Sequence, residues 1–160
     1  MGMDTGLVFG IIFAIIIIAL LLVFGIEQIV NIFCMGNIAQ ADKSVKDLEN
    51  EVESVYNLAE GSARTFTVRI PGNARICLVN PDDPSPMNSW APDPDLYESI
   101  KYSIESKQQN VWIKYGCGTS DDGYRIRYLQ VSENFCAGSG TELYVENRGY
   151  YVAIERPAGA

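Results

Sequence analysis

The chain contains no histidine. Imidazole is the one side chain that titrates near neutrality unaided. Its absence excludes Ser-His-Asp and Cys-His catalysis, His-ligated zinc and His-ligated haem. No C-x-x-C pair occurs among the four cysteines, Cys34, Cys77, Cys117 and Cys136, which argues against zinc ribbons and dithiol redox motifs. There is no run of lysine or arginine either. With 12 basic against 20 acidic residues and a net charge of −8, the chain lacks the cationic surface that nucleic acid or anionic lipid would need. No activated nucleophile, general base or cofactor fingerprint is present, so neither an enzyme nor a bound cofactor is expected.

Charge is also missing from one long stretch. Leu7–Phe24 holds no charged residue, no proline and no polar side chain. About 20 apolar residues in a helix cross the roughly 30 Å hydrocarbon core of a bilayer. A secretory signal would have a basic start, a shorter apolar core and a small-residue cleavage site. Met1–Thr5 carries no basic residue and no A-x-A motif directly follows the run, so an uncleaved anchor is expected. Within it Gly6, Gly10 and Ala14 recur every four residues. That strip lets two helix backbones approach closely in an apolar medium, although Gly and Ala are common in such helices anyway. Glu27, Gln28 and Asn31 mark the exit from the apolar region, either at the water interface or against a neighbouring helix.

The helix is expected to continue. Asn37 to Ala59 contains neither proline nor glycine and is rich in Glu, Lys, Gln, Ala and Leu. Ile38, Ala41, Val45, Leu48, Val52, Val55 and Ala59 alternate steps of three and four, the spacing of a heptad seam. Read as one helix from Thr5 to Ala59 it spans roughly 80 Å at 1.5 Å per residue. Gly61 is the expected C-terminal cap. The seam could pack on the chain's own β-rich part or on the same seam in neighbouring copies.

Beyond Ser62 the pattern changes to period two. Arg64–Ile70 alternates and reads as a strand, and Arg75–Val79 as a second, the two forming a hairpin about Pro71-Gly72-Asn73. Asn80 to Asp95 has five prolines and four aspartates, an exposed, stiffened loop in which Trp90 is a possible anchor. Leu96–Lys107 reads as an inserted helix. Val111–Tyr115, Tyr124–Val131, Thr141–Glu146 and Tyr150–Arg156 read as strands, the last two a hairpin with Gly149 supplying a positive φ. The fold class is therefore α+β: a long helix, apolar then amphipathic, carrying a small, mostly antiparallel β-sandwich-like head with one inserted helix. Residues 1–36 form the membrane-spanning or filament-core part, 37–62 its amphipathic continuation and 63–160 the head.

Three groups of side chains invite a chemical reading. Asp82, Asp83, Asp93 and Asp95, or Ser120, Asp121 and Asp122, could offer oxygens to calcium, but no EF-hand spacing is present and a solvated loop explains them as well. No metal ligand set is assigned. Tyr124, Tyr128, Tyr144, Tyr150 and Tyr151, with Arg125, Arg127 and Arg148, could form a recognition surface or be ordinary strand composition. Widely spaced cysteines beyond an apolar helix suit an oxidising compartment, placing the head outside the cell. Cys77–Cys136 is the expected cross-link, closing a loop of about 60 residues and worth roughly 3–4 kcal/mol in the chain-entropy account. Cys117–Cys136 is its rival. Cys34 could pair between copies or stay reduced.

In its architecture, Leu7–Phe24 followed by Asn37–Ala59 and then Arg64–Arg156, the chain resembles the type IV pilin-like proteins, the archaeal kind in particular, and related single-pass archaeal surface proteins. The basic leader of that family's precursors has no counterpart in Met1-Gly2-Met3-Asp4. The resemblance implies a structural subunit of a surface filament, with the apolar helices bundled and the heads outside. Its partners would then be copies of itself, through Gly6, Gly10, Ala14 and the seam, with membrane lipid before or instead of assembly. The alternative is a single-pass anchored binding module, or an accessory subunit of a membrane complex, with its own surface partner.

Overall fold

A 52-residue helix, α1 (Thr5–Tyr56), is what the absence of proline before Pro71 allows. The computed structural model describes residues 5–83, 100–102, 104, 106–116 and 122–156, with the side chains of residues 5, 7, 26, 27, 30 and 31 left aside. The expectations for Trp90, Leu96, Asp93, Asp95, Cys117, Ser120 and Asp121, and for the Glu27 and Asn31 side chains, fall outside what is described. The chain divides into two units, residues 1–36 and 37–160.

In the first unit, Val8–Gly25 has a mean hydropathy of 3.2 and none of it is buried. By length and composition this one helix could cross a membrane. Its large side chains stand open on all sides; Phe9 is 79% exposed and Leu21 67%.

In the second unit the helix belongs to the head. Ala41, Val45, Leu48, Val52 and Val55 are at most 3% exposed, and Ile38 packs at their margin. They share one core with the inner faces of two four-stranded sheets. Of the two partners open to the seam, the chain's own strands are the one found. The first sheet has the order β1 (Ala63–Thr67), β7 (Glu142–Asn147), β8 (Val152–Glu155), β5 (Leu129–Val131). The second has the order β4 (Asp122–Tyr124), β3 (Val111–Lys114), β2 (Arg75–Leu78), β6 (Phe135–Ala137). All pairings are antiparallel except β5 with β8. The period of two is clear in β7, where buried Leu143, Val145 and Asn147 alternate with outward Glu142, Tyr144 and Glu146.

Three expectations need correction. β1 and β2 are not a hairpin: β1 pairs with β7 and β2 with β3 and β6. The seven residues between them, turned at Pro71–Ala74 by an Ala74 N–H to Pro71 O bond of 2.9 Å, carry the chain from one sheet to the other. Tyr124–Val131 is not one strand, because the chain changes sheets between β4 and β5. Helix α1 ends at Tyr56 rather than Ala59, with Gly61 beyond it at φ 82°.

The second sheet also buries its outer face. Cys77, Val79, Trp112 and Cys136 pack with Ile100 and Ile104, whose described neighbours at 100–102 and 106–107 are helical. Cys77 and Cys136 stand opposite each other on β2 and β6 and are joined, as expected from the sequence. Cys34 is held in a disulfide and does not stay reduced.

The end of α1 is fixed by Asn147, which is 2% exposed. Its Nδ2 donates to the carbonyls of Val55, Tyr56 and Leu58 at 3.1, 3.0 and 2.9 Å. Val55 and Tyr56 lie in the last turn of α1, whose carbonyls have no i+4 donor within the helix, and Leu58 lies just beyond its end. Its Oδ1 accepts from Gly149 N at 2.7 Å, and its main chain bonds Gly61 and Ser62. One residue of β7 thus closes both the helix and the β7–β8 turn.

Asn147→Ala should lower unfolding free energy by about 2–3 kcal/mol, since buried carbonyls lose their donor. Asn147→Asp should be worse, because it sets a carboxylate against the same oxygens. Urea melts of the three proteins decide this; equal midpoints would contradict it. Cys77→Ala combined with Cys136→Ala should lower stability by about 4 kcal/mol by the loop-closure account.

Candidate recognition site

The most elaborated surface of the head lies where the chain leaves β4 and enters β5. Asn110, just before β3 and 5% exposed, organises it. Its Oδ1 accepts from Ile126 N at 2.8 Å, and its Nδ2 donates to Ile126 O and Leu129 O at 2.9 and 3.1 Å. Its own N–H donates to Tyr124 O and its carbonyl accepts from Val79 N, both at 3.0 Å. The amide satisfies a backbone segment that can join neither sheet, because it crosses between them.

That segment holds an unusual conformation. Tyr128 has φ 65°, in the left-handed region, which costs a non-glycine residue about 1–2 kcal/mol. Surrounding contacts keep it there. Tyr128 O accepts from Val152 N at 2.8 Å. Its ring stacks on Tyr56 of α1, with centroids 3.8 Å apart and planes 7° from parallel. The Arg127 guanidinium lies 4.7 Å from the same ring, a cation–π distance. Gln108, the only other described non-glycine residue with positive φ, sits across the same cleft at φ 53°. Left-handed residues persist where contacts over-determine them, and such places are often functional.

The cleft has a volume of about 320 Å³ and is lined by Asn80, Asp82, Gln108, Arg125, Arg127 and Tyr151, among others. Arg125 and Arg127 are exposed and neither forms an ion pair among the described residues. The set read from the sequence is therefore divided. Arg125, Arg127, Tyr128 and Tyr151 come together here. Arg148 instead pairs with Glu146 at 2.8 Å and Glu155 at 3.7 Å. Tyr144 and Tyr150 are exposed elsewhere, Tyr150 at 93%. Of the acidic clusters, Asp82 N–H bonds Asn80 Oδ1 in a local turn. Among the described residues, no three acidic or cysteine side chains gather as a metal site. Gly6 and Gly10 have no neighbouring atom within 4 Å of a Cβ position, and Ala14 is exposed, so the strip has no partner within the described chain.

A second polar cluster joins the strands to α1. Tyr115 and Tyr124 both donate to Asp42 Oδ1, at 2.6 and 2.7 Å. Asp122 Oδ2 stands 3.3 Å from the Tyr115 hydroxyl. Tyr115 is 4% exposed. Burial first, and the Asp42 carboxylate beside it, push the Tyr115 hydroxyl well above its ordinary range. Burial and the same carboxylate push Tyr124 up to about 12. Asn110, Asn147 and Asp42 escaped the sequence reading as structural clamps; the asparagines stand among other polar residues, after Gln108-Gln109 and between Glu146 and Arg148, so residue type alone does not single them out.

The raised tyrosines set an alkaline limit. Their protonated forms are favoured by folding, so their contribution is complete below pH 10, where unfolded tyrosine stays neutral. It declines from about pH 10 and, for Tyr124, is lost as pH rises through about 12. Tyr124→Phe should cost about 1.5–3 kcal/mol at pH 7, the worth of a bond to a charged acceptor, and should flatten the alkaline decline. Denaturant melts at pH 7 and pH 11 read both effects.

Compared with known proteins, the chain matches no family model, no curated protein and no solved structure.

Proposed function

We propose that this protein is a structural subunit of a surface filament, pilin-like in plan, whose apolar N-terminal helices pack together while the heads stay outside. One observation carries the reading: Val8–Gly25 is apolar throughout and wholly unburied by its own chain. A helix apolar on every side requires an apolar surround, which only lipid or other helices supply. The amphipathic half of α1 spends its seam on the head, so contacts between copies fall to the apolar half. There the Gly6, Gly10 and Ala14 strip offers the close approach that helix pairing in an apolar medium uses. The Cys77–Cys136 bond suits a head on the oxidising side of a membrane. The role is mechanical rather than catalytic, with copies of the chain as partners and lipid as the surround before assembly.

A second reading, a single-pass anchored binding module, is favoured by the cleft beside Arg125 and Arg127.

Electron microscopy of native material separates the two. The filament reading expects fibres with Val8–Gly25 buried among neighbouring chains. Gly10→Leu should abolish or shorten them while leaving the head's melting temperature unchanged, because nothing lies within 4 Å of that position in the fold. Extraction as a detergent monomer with a lipid-facing helix contradicts the filament reading and leaves the anchored module.

A further inference from the structure

The two sulfurs of the Cys77–Cys136 bond differ in access. The bond runs from β2 to β6, on which the two cysteines are directly paired. Cys77 is fully buried, whereas Cys136 is half-buried. A thiolate breaks a disulfide by attacking one sulfur from the side away from the other. At Cys77 that side is toward β3, where Trp112, itself 5% exposed, stands directly opposite. Val79, Ile100 and Ile104 pack in the same cluster. At Cys136 that side is toward the edge of the sheet, because β6 is its last strand. There Cys136 lines a cleft of about 580 Å³, with Ser132–Phe135 on one side and Ile154–Arg156 on the other. Clefts of roughly 300–1,000 Å³ hold small molecules, so a small organic thiol can enter.

We propose that Cys136 is a modification site of the head, the sulfur at which a low-molecular-weight thiol exchanges with the Cys77–Cys136 bond. The thiol loses its proton to water and its sulfur attacks Cys136 Sγ. A new S–S bond forms there as the Cys77–Cys136 bond breaks. Cys77 Sγ departs with the electron pair and takes up a proton. One disulfide replaces another, so no oxidant or reductant is consumed. The product holds the thiol's substituent in the cleft and a free thiol at Cys77, among Val79, Ile100, Ile104 and Trp112. A buried thiol packs there as a small apolar group. Apolar surroundings disfavour the thiolate that must form before Cys77 can attack again, which slows reclosure. The main-chain pairing of β2 with β6 holds the two strands together meanwhile. The proposal does not depend on whether the apolar helix is solvated by lipid or by copies.

The test exposes the full chain in detergent briefly to 2-mercaptoethanol under mildly alkaline conditions. Acid quenching and peptide mass spectrometry then locate the adduct. It should sit on Cys136 at least about tenfold more often than on Cys77, with Cys77 recovered as a thiol. Iodoacetamide gives a second reading that needs no disulfide. Cys136 in the Cys77→Ala variant should alkylate at least about tenfold faster than Cys77 in the Cys136→Ala variant, both checked as folded by circular dichroism. Adducts shared evenly between the two cysteines, or found mainly on Cys77, overturn the proposal. Equal alkylation rates in the two variants do so as well. So does exchange no faster than global unfolding under the same conditions, because the folded cleft would then play no part.

Discussion

The head rests on the insertion of one amphipathic helical segment into a β-sandwich. Ala41, Val45, Leu48, Val52 and Val55 supply a continuous apolar ridge to a core that both sheets share. Two four-stranded sheets of three to six residues per strand have little inner surface of their own. Without the ridge, residues such as Leu143, Val145 and Ile154 would face water, at about 1.5–3 kcal/mol for each large side chain. Polar clamps hold the two ends of the ridge in register. Asp42 receives two tyrosine hydroxyls from the strands, and Asn147 takes the carbonyls at the far end. Apolar packing is not directional, so these bonds are what set the helix's position along its axis.

This arrangement divides the labour along a single element. The part of α1 from Ala41 onward is committed to the head and offers its seam to no other chain. Val8–Gly25 is apolar on every face and none of it is buried by the described chain. Among the described residues of the head, strain, stacking and unpaired charge coincide at the cleft beside Tyr128. Tyr128 links the two regions, since its ring lies on Tyr56 in the last turn of α1 while its backbone shapes the cleft.

What could be read from the residues follows the range of the forces involved. The apolar run, the heptad seam and the alternation in β7 are periodic and local, and the sequence alone reveals them. Cys77–Cys136 was expected as a link between the early and late parts of the head and is formed, although the strand that carries Cys136 was not foreseen. Strand pairing was not legible. The turn at Pro71-Gly72-Asn73 suggested a hairpin, yet both flanking strands find better partners far along the chain. Tyr124–Val131 alternates well enough for one strand, and only the capture of Ile126 and Leu129 by Asn110 breaks it in two. The cleft beside Tyr128 was half visible for the same reason. Its arginines and tyrosines stood out by type, but Asn110 and the stack on Tyr56 depend on residues 16 and more positions away.

Residues 41–56 of α1 should unfold only with the sandwich. Native-state amide hydrogen exchange measures this directly. Amides from Val45 to Val55 should have the same opening free energy as those of Leu143 and Val145 in β7, near the global value. Helix amides that exchange through a separate, much smaller opening while β7 stays protected would contradict it.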